Sequence, residues 1–377
     1  MLILLAFGFL FNGIRILTGA FIVFYMLNRG ITLIEIGIIK SSQAFIMMVS
    51  DIPLGYFADK KSYKISIVLS SAFSAVWLFL MGISDGFYGF LLAELFNALS
   101  LTLIAGAYNA LLVQYSKANL ETTKKIIGYS SQCNYIGMFL FSLIGAYFAD
   151  YAGPYIWYAA AFLMLITTIF GLIFMDNLKL ENKEYEYNSF AYDVKEMFFI
   201  FKNSPYVSIY FCFALIFINV FAQYWQWIFK YCDIKINYFN LGIVFSFILL
   251  SQLIASTLFT KLSEKQNIFI ISIISLLMIF IIFFIDINKI YASILVCMIF
   301  YLIKYVSIRA EVVLHDSISD RLRATYESFL STLVRLSLLI FFYFSAYMID
   351  IFGFFSLVYI FIIFLFIYLF SIFFKQE

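Results

Sequence analysis

A few ionisable side chains fall inside long apolar segments, and these residues could carry chemistry. Arg15, Glu94 and Arg335 each lie deep in a stretch that is almost uncharged. A charge at the centre of a membrane helix costs about 2.5 to 3.5 kcal/mol on insertion scales, so it needs a cavity or a partner. A buried carboxylate responds both to desolvation and to nearby positive charge. We predict that Glu94 alternates between holding a proton and forming an ion pair with Arg15 or with a group on a bound compound.

Helical spacing places further polar residues beside these charges. One face of the first predicted helix carries small and polar residues, namely Gly8, Asn12, Arg15 and Gly19. Similar polar faces occur around Lys40, Glu94 and Lys304. The alternative for any single charge near a helix end is an ion pair that only stabilises packing, or a lysine such as Lys40 that extends to the interface. The candidate proton-coupling or substrate residues are Glu94, Arg15, Lys40, Asn97, Gln223, Gln226, Lys304 and Arg335.

The composition indicates that the segments containing these charged residues lie in a membrane. The chain has 377 residues, of which 64% are hydrophobic and 12% charged, whereas soluble proteins have about 25% charged residues. The net charge of +2 gives no indication of a nucleic-acid partner. The four cysteines and one histidine lack metal-site spacing, so we expect neither a metal nor another cofactor. HExxH, GxSxG and GxxxxGK(S/T) motifs are missing, which argues against a membrane-embedded enzyme.

Apolar segments of about 20 residues predict twelve membrane-spanning helices. Residues 1–175 would form one six-helix bundle and residues 206–377 a second, joined by a polar linker at 176–205. A shift that places Tyr206 on Met1 also places Glu264 on Asp59, which indicates a degenerate repeat of the two halves. The predicted spans are 2–27, 32–58, 65–83, 86–113, 126–149, 155–175, 206–229, 238–260, 268–285, 289–312, 326–349 and 354–374.

The distribution of basic residues predicts the orientation. With the N-terminus in the cytoplasm, fifteen lysines and arginines fall in cytoplasmic segments and four, Arg29, Lys230, Lys235 and Lys289, in outer loops. Cytoplasmic loops of membrane proteins carry the excess of lysine and arginine. We therefore predict a multi-pass protein of the cytoplasmic membrane with both termini inside, whose first span is a retained helix and not a cleaved signal peptide.

The charged stretch at residues 51–64 resembles the signature loop of the major facilitator superfamily, GxxxD(R/K)xGRR, which joins helices 2 and 3. Gly55, Asp59 and Lys60 fit the pattern, whereas Ser62 and Tyr63 depart from it. A second stretch, with Arg323, Ala324, Thr325 and Ser328, is similar to the RATxxS element after helix 10. The resemblance covers the whole chain. It implies an all-α membrane protein with twelve transmembrane helices in two pseudo-symmetric six-helix bundles, in which helices 1, 2, 4 and 5 of each half line a central cavity.

The resemblance also implies a function. Secondary transporters of this family move a small molecule across the cytoplasmic membrane by alternating access, and their signature loop is a cytoplasmic latch between the halves. The predicted latch residues are Asp51, Gly55, Asp59, Lys60, Lys64 and Arg323. Alternatively, the lysines only anchor the loop to anionic lipid.

Features of the sequence point to opposite directions of transport. The loops resemble exporter-like members, and Gly128, Gly137 and Gly145 partly match a glycine pattern of antiporters, although glycines also serve helix packing. We expect proton-coupled efflux by a monomer. The excess of basic over acidic cavity residues instead favours proton-coupled uptake of an anionic or zwitterionic metabolite.

Overall fold

The structure is a computed structural model that describes residues 1–115, 120–175, 205–316 and 323–374. These residues form α-helices and contain no β-strand. Ten helical stretches among them are long and apolar enough to cross a membrane, and two more, Ser208–Tyr224 and Phe355–Phe370, are apolar but shorter. Each of the twelve predicted spans thus has a helical counterpart. The all-α fold is confirmed, while the count of twelve crossings remains a prediction.

The chain divides into two compact units. The first unit comprises Met1–Lys183 with Asn237–Ser246, and the second unit comprises Glu184–Ile236 with Phe247–Glu377. Helix α10 (Tyr238–Lys261) begins in the first unit and continues into the second. The other helices of the first unit are α1 (Leu2–Ile16), α2 (Ile22–Asn28), α3 (Leu33–Lys60), α4 (Tyr63–Ile83), α5 (Phe87–Tyr115), α6 (Leu120–Ala152) and α7 (Tyr155–Phe174). Those of the second unit are α8 (Pro205–Tyr224), α9 (Trp227–Tyr231), α11 (Glu264–Phe284), α12 (Lys289–Asp316), α13 (Arg323–Phe352) and α14 (Phe355–Phe374).

The first and seventh predicted spans are each interrupted. A short 3-10 turn, Gly19–Phe21, separates α1 from α2, and a turn at Trp225 separates α8 from α9. Gly19 favours the first break because glycine is a poor helix former, but the second break contains no such residue. The shift that places Tyr206 on Met1 also places the first residue of α9 on the first residue of α2. The break is therefore a repeated feature of the two halves.

Residues 51–64 lie mostly on a helix. Helix α3 begins with a capping box, in which Glu35 N donates to Thr32 Oγ1 (3.2 Å) and Thr32 N donates to Glu35 Oε2 (2.7 Å). It then continues through Pro53 to Lys60, although an internal proline removes one backbone hydrogen bond. Two residues, 61 and 62, separate α3 from α4. The predicted loop is thus the last turns of α3 followed by a tight connection.

Glycines allow α6 to pack closely on the segment that contains α1. A Cβ atom at Gly145 would lie 1.8 Å from the carbonyl oxygen of Leu17, and one at Gly137 would lie 2.5 Å from that of Phe9. Such contacts require a residue without a side chain, as at many helix interfaces in membranes. Close packing therefore accounts for two glycines of the antiporter-like pattern. At Gly128 an added Cβ would meet no atom within 4 Å.

Serines join α4 to α5. Ser70 Oγ donates to the carbonyl oxygen of Ser100, and Ser100 Oγ donates to that of Ser70, each at 2.8 Å. Ser66 Oγ donates to the carbonyl oxygen of Leu103 at 2.9 Å, and the hydroxyls of Ser74 and Ser100 lie 2.8 Å apart. Small side chains that hydrogen-bond to the neighbouring backbone hold two helices together at close range. This interface fixes the position of α5 relative to α4.

The start of α10 is held by α6 within the first unit. The carboxylate of Asp150 accepts hydrogen bonds from the backbone N–H of Tyr238 (2.8 Å) and of Phe239 (3.2 Å). An acid at this position satisfies free N–H groups and complements the positive end of the helix. Further along the same contact, the hydroxyls of Ser142 and Ser246 lie 2.7 Å apart.

Aromatic rings join α8 to α14 in the second unit. The ring of Phe217 lies 5.2 Å from that of Phe361 and 5.3 Å from that of Phe364, measured between centroids. Tyr210 and Tyr368 extend the contact with rings 5.1 Å apart. Such pairs contribute about 0.5 to 1.5 kcal/mol each beyond their buried area.

Candidate functional site

The candidate site in the first unit is built around one buried ion pair. Lys40 Nζ on α3 lies 2.9 Å from Glu94 Oε1 on α5. The side chains are 7% and 0% exposed, respectively. The amide of Gln43, one turn along α3, lies 3.4 Å from the same ammonium group. A buried pair of this kind needs its remaining hydrogen bonds satisfied, because neither charge has access to bulk water.

Asn97 connects this ion pair to Arg15. Asn97 Nδ2 donates to Glu94 Oε2 at 2.8 Å, and the guanidinium of Arg15 donates to Asn97 Oδ1. Arg15 also donates to the hydroxyl of Ser74 on α4. Its Cζ lies 4.6 Å from the ring centroid of Trp77, which is a favourable cation–π distance. Side chains from α1, α3, α4 and α5 thus form one continuous network, which we call the buried polar network (Arg15, Lys40, Ser74, Glu94 and Asn97).

The structure modifies two sequence-based expectations for this network. Glu94 and Arg15 belong to the same cluster, but Asn97 lies between them, and the direct ionic partner of Glu94 is Lys40. Lys40 does not extend to the interface, as one interpretation of its position suggested. It is 6% exposed and points to Glu94, because the carboxylate offers compensation for its buried charge.

The positive and negative charges of the network are unequal in number. With Glu94 ionised, its two oxygens face the Lys40 ammonium and the Asn97 amide, and the network carries two positive charges against one negative charge. A proton on Glu94 would remove the attraction between α3 and α5 and leave both cations uncompensated. An anion entering the network would have the opposite effect, because it would neutralise the excess positive charge.

Sequence reasoning missed the α4 side of the network. Ser74 and Trp77 contact Arg15, yet the resemblance names only helices 1, 2, 4 and 5 of each half as the cavity lining and so leaves out the third span, which corresponds to α4. The signal was present in the spacing, since Ser66, Ser70 and Ser74 recur every four residues and therefore share one helix face. Tyr108 on α5 was also missed. Its hydroxyl lies 3.2 Å from the carbonyl oxygen of Leu4, to which it donates, and 3.0 Å from the hydroxyl of Ser130.

The four remaining candidates belong to the second unit. Gln223 and Gln226 flank the break between α8 and α9 and are 9% and 1% exposed. Lys304 on α12 and Arg335 on α13 are partly buried. Arg309, also on α12, is 8% exposed. Gln223, Lys304 and Arg335 lie within helices, whereas Gln226 lies in the turn before α9. The assignment of these four residues to a substrate site stays a prediction.

The predicted latch residues are described in part. Asp51, Gly55 and Lys60 lie on the last part of α3, where Asp51 is half-buried and Gly55 is exposed. Lys60 Nζ lies 4.6 Å from the ring centroid of Tyr56, and Lys64 on α4 is half-buried. The side chains of Asp59 and Arg323 lie outside the described residues.

No group of three or more histidine, cysteine, aspartate or glutamate side chains in the described part of the chain could hold a metal ion. The network described above is therefore composed of protonatable, cationic and hydrogen-bonding groups.

The chain is similar to a known protein family and to several solved structures. A family model described as Major Facilitator Superfamily matches residues 3–310. No curated protein sequence matches the chain. Among solved structures, the nucleoside transporter NupG is similar with a TM-score of 0.75, at 16% identity over 98% of this chain and 97% of that one.

Two further solved structures share the fold. A bacterial homolog of the human lysosomal transporter Spinster has a TM-score of 0.69, at 14% identity over 92% of this chain and 80% of its own. A D-xylose-proton symporter has a TM-score of 0.67, at 12% identity over 94% of this chain and 92% of its own.

Proposed function

The chain belongs to the Major Facilitator Superfamily and is a multi-pass membrane transporter, not an enzyme, and we propose that it moves a small molecule by proton-coupled alternating access. The observation that supports proton coupling is the buried Lys40–Glu94 pair, in which an acid and a base with almost no solvent exposure hold α3 against α5. The fold neighbour named as a D-xylose-proton symporter is consistent with a proton as the coupling ion.

In this proposal Glu94 is the proton-binding group and Lys40 is its partner in the deprotonated state. Protonation of Glu94 releases Lys40, and the free ammonium then takes another anionic partner, either from the transported compound or from the protein. Arg15 and Asn97 keep the carboxylate in position, because Asn97 holds its second oxygen and Arg15 holds Asn97. The proton and the conformational change are thereby coupled through one carboxylate.

The test uses purified protein in proteoliposomes. A thermal-stabilisation screen with anions, cations and neutral compounds, including nucleosides and D-xylose, first supplies a transported compound. Glu94→Gln is then expected to abolish accumulation driven by a pH gradient and to retain exchange of the compound between equal pools. Asp85→Asn is the matched control, because Asp85 is an exposed carboxylate of the same unit. Gradient-driven accumulation that is unchanged in Glu94→Gln contradicts the proposal.

We propose efflux as the direction, with the protein in the cytoplasmic membrane and both termini inside. The support comes from the loop segments, whose motifs resemble exporter-like members and whose basic residues predict this orientation. In proteoliposomes of defined orientation, acidification of the outer compartment is expected to drive the compound out of the compartment that represents the cytoplasm. Movement of the compound with the proton would instead establish uptake.

A specific observation favours uptake of an anionic or zwitterionic metabolite as the second candidate. The buried polar network has two cations and one acid, and an anionic group would neutralise this excess. For the second unit, considered by itself, we propose Gln223, Gln226, Lys304 and Arg335 as the substrate contacts. In the stabilisation screen, this candidate predicts a response to anions or zwitterions, and a response to cations alone contradicts it.

We also propose a cytoplasmic latch made of Asp51, Gly55, Asp59, Lys60 and Lys64 on the last turns of α3 and the start of α4, with Arg323, the first residue of α13, as its further predicted member. The two-residue connection between α3 and α4 supports this role, since it holds the charges of these two helices on neighbouring helix ends. Asp59→Asn is expected to lower the transport rate, whereas Lys61→Gln, which removes a charge at the unspecified position of the motif, should leave the rate unchanged.

A further inference from the structure

A pocket of about 330 Å³ opens in the second unit between α9 and the end of α13 with the turn that follows it. Trp227, Lys230 and Tyr231 of α9 form one wall, and residues 349–353 form the other. The sequence places both segments on the outer side of the membrane. None of these residues belongs to the buried polar network or to the predicted latch.

The two walls carry opposite charges. Lys230 contributes an ammonium group, whose Nζ lies 4.6 Å from the ring centroid of Trp227, and Asp350 contributes a carboxylate from the facing wall. Both side chains are exposed. Within the described residues, neither forms an ion pair at 4 Å or less. One cation and one anion thus line a single cavity without neutralising each other directly.

The walls are held in place by the backbone and by aromatic packing. Gly353 has a φ of +80°, which disfavours other residues, and an added Cβ would lie 2.1 Å from the ring of Tyr231. The same ring lies 5.6 Å from that of Phe355, edge to face. Tyr231 is therefore fixed against the turn, and the distance between the charged walls is set by α9 and the turn together.

We propose that this pocket binds a small zwitterion, with the anionic group of the ligand on Lys230 and its ammonium group on Asp350. The aromatic rings of Trp227 and Tyr231 supply an apolar surface for the carbon atoms between the two charges. A ligand with only one charge would leave the other wall unpaired, so the pocket discriminates by charge pattern. Phosphoethanolamine has this pattern, and it occurs both as a free compound and as a lipid headgroup. At the rim, Ile351 and Phe352 are 53% and 63% exposed, in position to contact acyl chains.

The experiment measures thermal stabilisation of the purified full-length protein in phosphatidylglycerol nanodiscs, whose lipid headgroup carries an anion but no ammonium group. The probes are O-phosphoethanolamine and two single-charge analogues, methyl phosphate and ethylamine. Phosphoethanolamine is expected to bind about tenfold more tightly than either analogue, because only it engages both walls. Lys230→Gln and Asp350→Asn should each remove this preference. The matched controls Lys235→Gln and Asp233→Asn, exposed charges of the same segment that do not line the pocket, should retain it.

A second experiment distinguishes a lipid headgroup from a soluble compound as the ligand. In nanodiscs that contain phosphatidylethanolamine, a lipid headgroup would already fill the pocket, and added phosphoethanolamine would have no further effect. If the ligand is a soluble compound, the response is the same in both kinds of nanodisc. Equal responses of the wild-type protein to all three probes, or a preference that persists in both pocket variants, would overturn the proposal. Because the comparison of probes uses the wild-type protein, it decides the question even if a variant does not fold.

Discussion

The two units bury their interiors by different means. In the first unit, a polar network of Arg15, Lys40 and Glu94 lies beside a serine interface between α4 and α5. In the second, the contact of α8 with α14 includes tilted aromatic rings around Phe217. Hydrogen bonds and ion pairs lose their strength with small changes in distance and angle, whereas ring contacts tolerate several geometries.

This difference indicates which unit carries the protonation chemistry and which one is stabilised mainly by packing. The polar network needs helices that are held close together, which the serines and glycines of the first unit provide. Its ion pair contributes little net stability, because the desolvation of both charges offsets their attraction. The ring contacts described between α8 and α14 are made by phenylalanine and tyrosine side chains. We therefore expect the first unit to carry the proton-dependent step and the second-unit interface to act mainly through packing.

The largest effect is expected when one partner of the buried ion pair is removed. Glu94→Leu leaves the Lys40 ammonium buried without compensation and should destabilise the protein by about 3 to 5 kcal/mol. The double variant with Lys40→Met replaces both charges by apolar groups and should recover most of this loss while transport stays abolished. Thermal unfolding of the purified proteins measures the difference. A double variant as unstable as the single one would show that the pair itself stabilises the fold.

An intermediate effect is expected in the aromatic interface. Phe217→Ala removes a buried ring that contacts both Phe361 and Phe364, and it should cost about 3 kcal/mol. Transport per folded molecule should remain close to the wild-type value. The control is Phe247→Ala, since Phe247 of the same unit is 58% exposed. The same unfolding measurement applies, and equal losses at the two positions would contradict a packing role for the α8–α14 contact.

The smallest effect is expected at the serine interface. Ser70→Ala removes one hydrogen bond to the Ser100 carbonyl group and should cost about 1 kcal/mol, since the alanine keeps the close approach of α4 and α5. Ser272→Ala is the control, because Ser272 donates only within its own helix, to Ile268. Unfolding temperatures compare the two. If both variants lose the same amount, the interhelical hydrogen bond has no special contribution.

Much of the fold could be predicted from the sequence, because long apolar segments separated by glycines and charged residues are typical of membrane helices. The predicted start of the eighth span at Tyr238 and that of the tenth at Lys289 coincide with the first residues of α10 and α12. The second span was predicted to end at residue 58, two residues before α3 ends at Lys60, although Pro53 and the charges near it are typical of a loop.

The candidate site could be predicted only in part. Arg15, Lys40, Glu94 and Asn97 were selected because charges and amides are costly in apolar helices, and the structure brings these four together. Which of them pair could not be predicted, because pairing depends on the rotation and spacing of four helices. Ser74 and Trp77 were missed for the same reason, as uncharged residues acquire a role only through the neighbours they contact.

The repeated break of the first helix in each half also shows how little a backbone shape can depend on particular side chains. Residues 17–21 and residues 222–226 share no identical residue when the halves are aligned, yet α2 and α9 begin at equivalent positions. Two unrelated local sequences thus form the same interruption, so no single side chain of either segment is required for it.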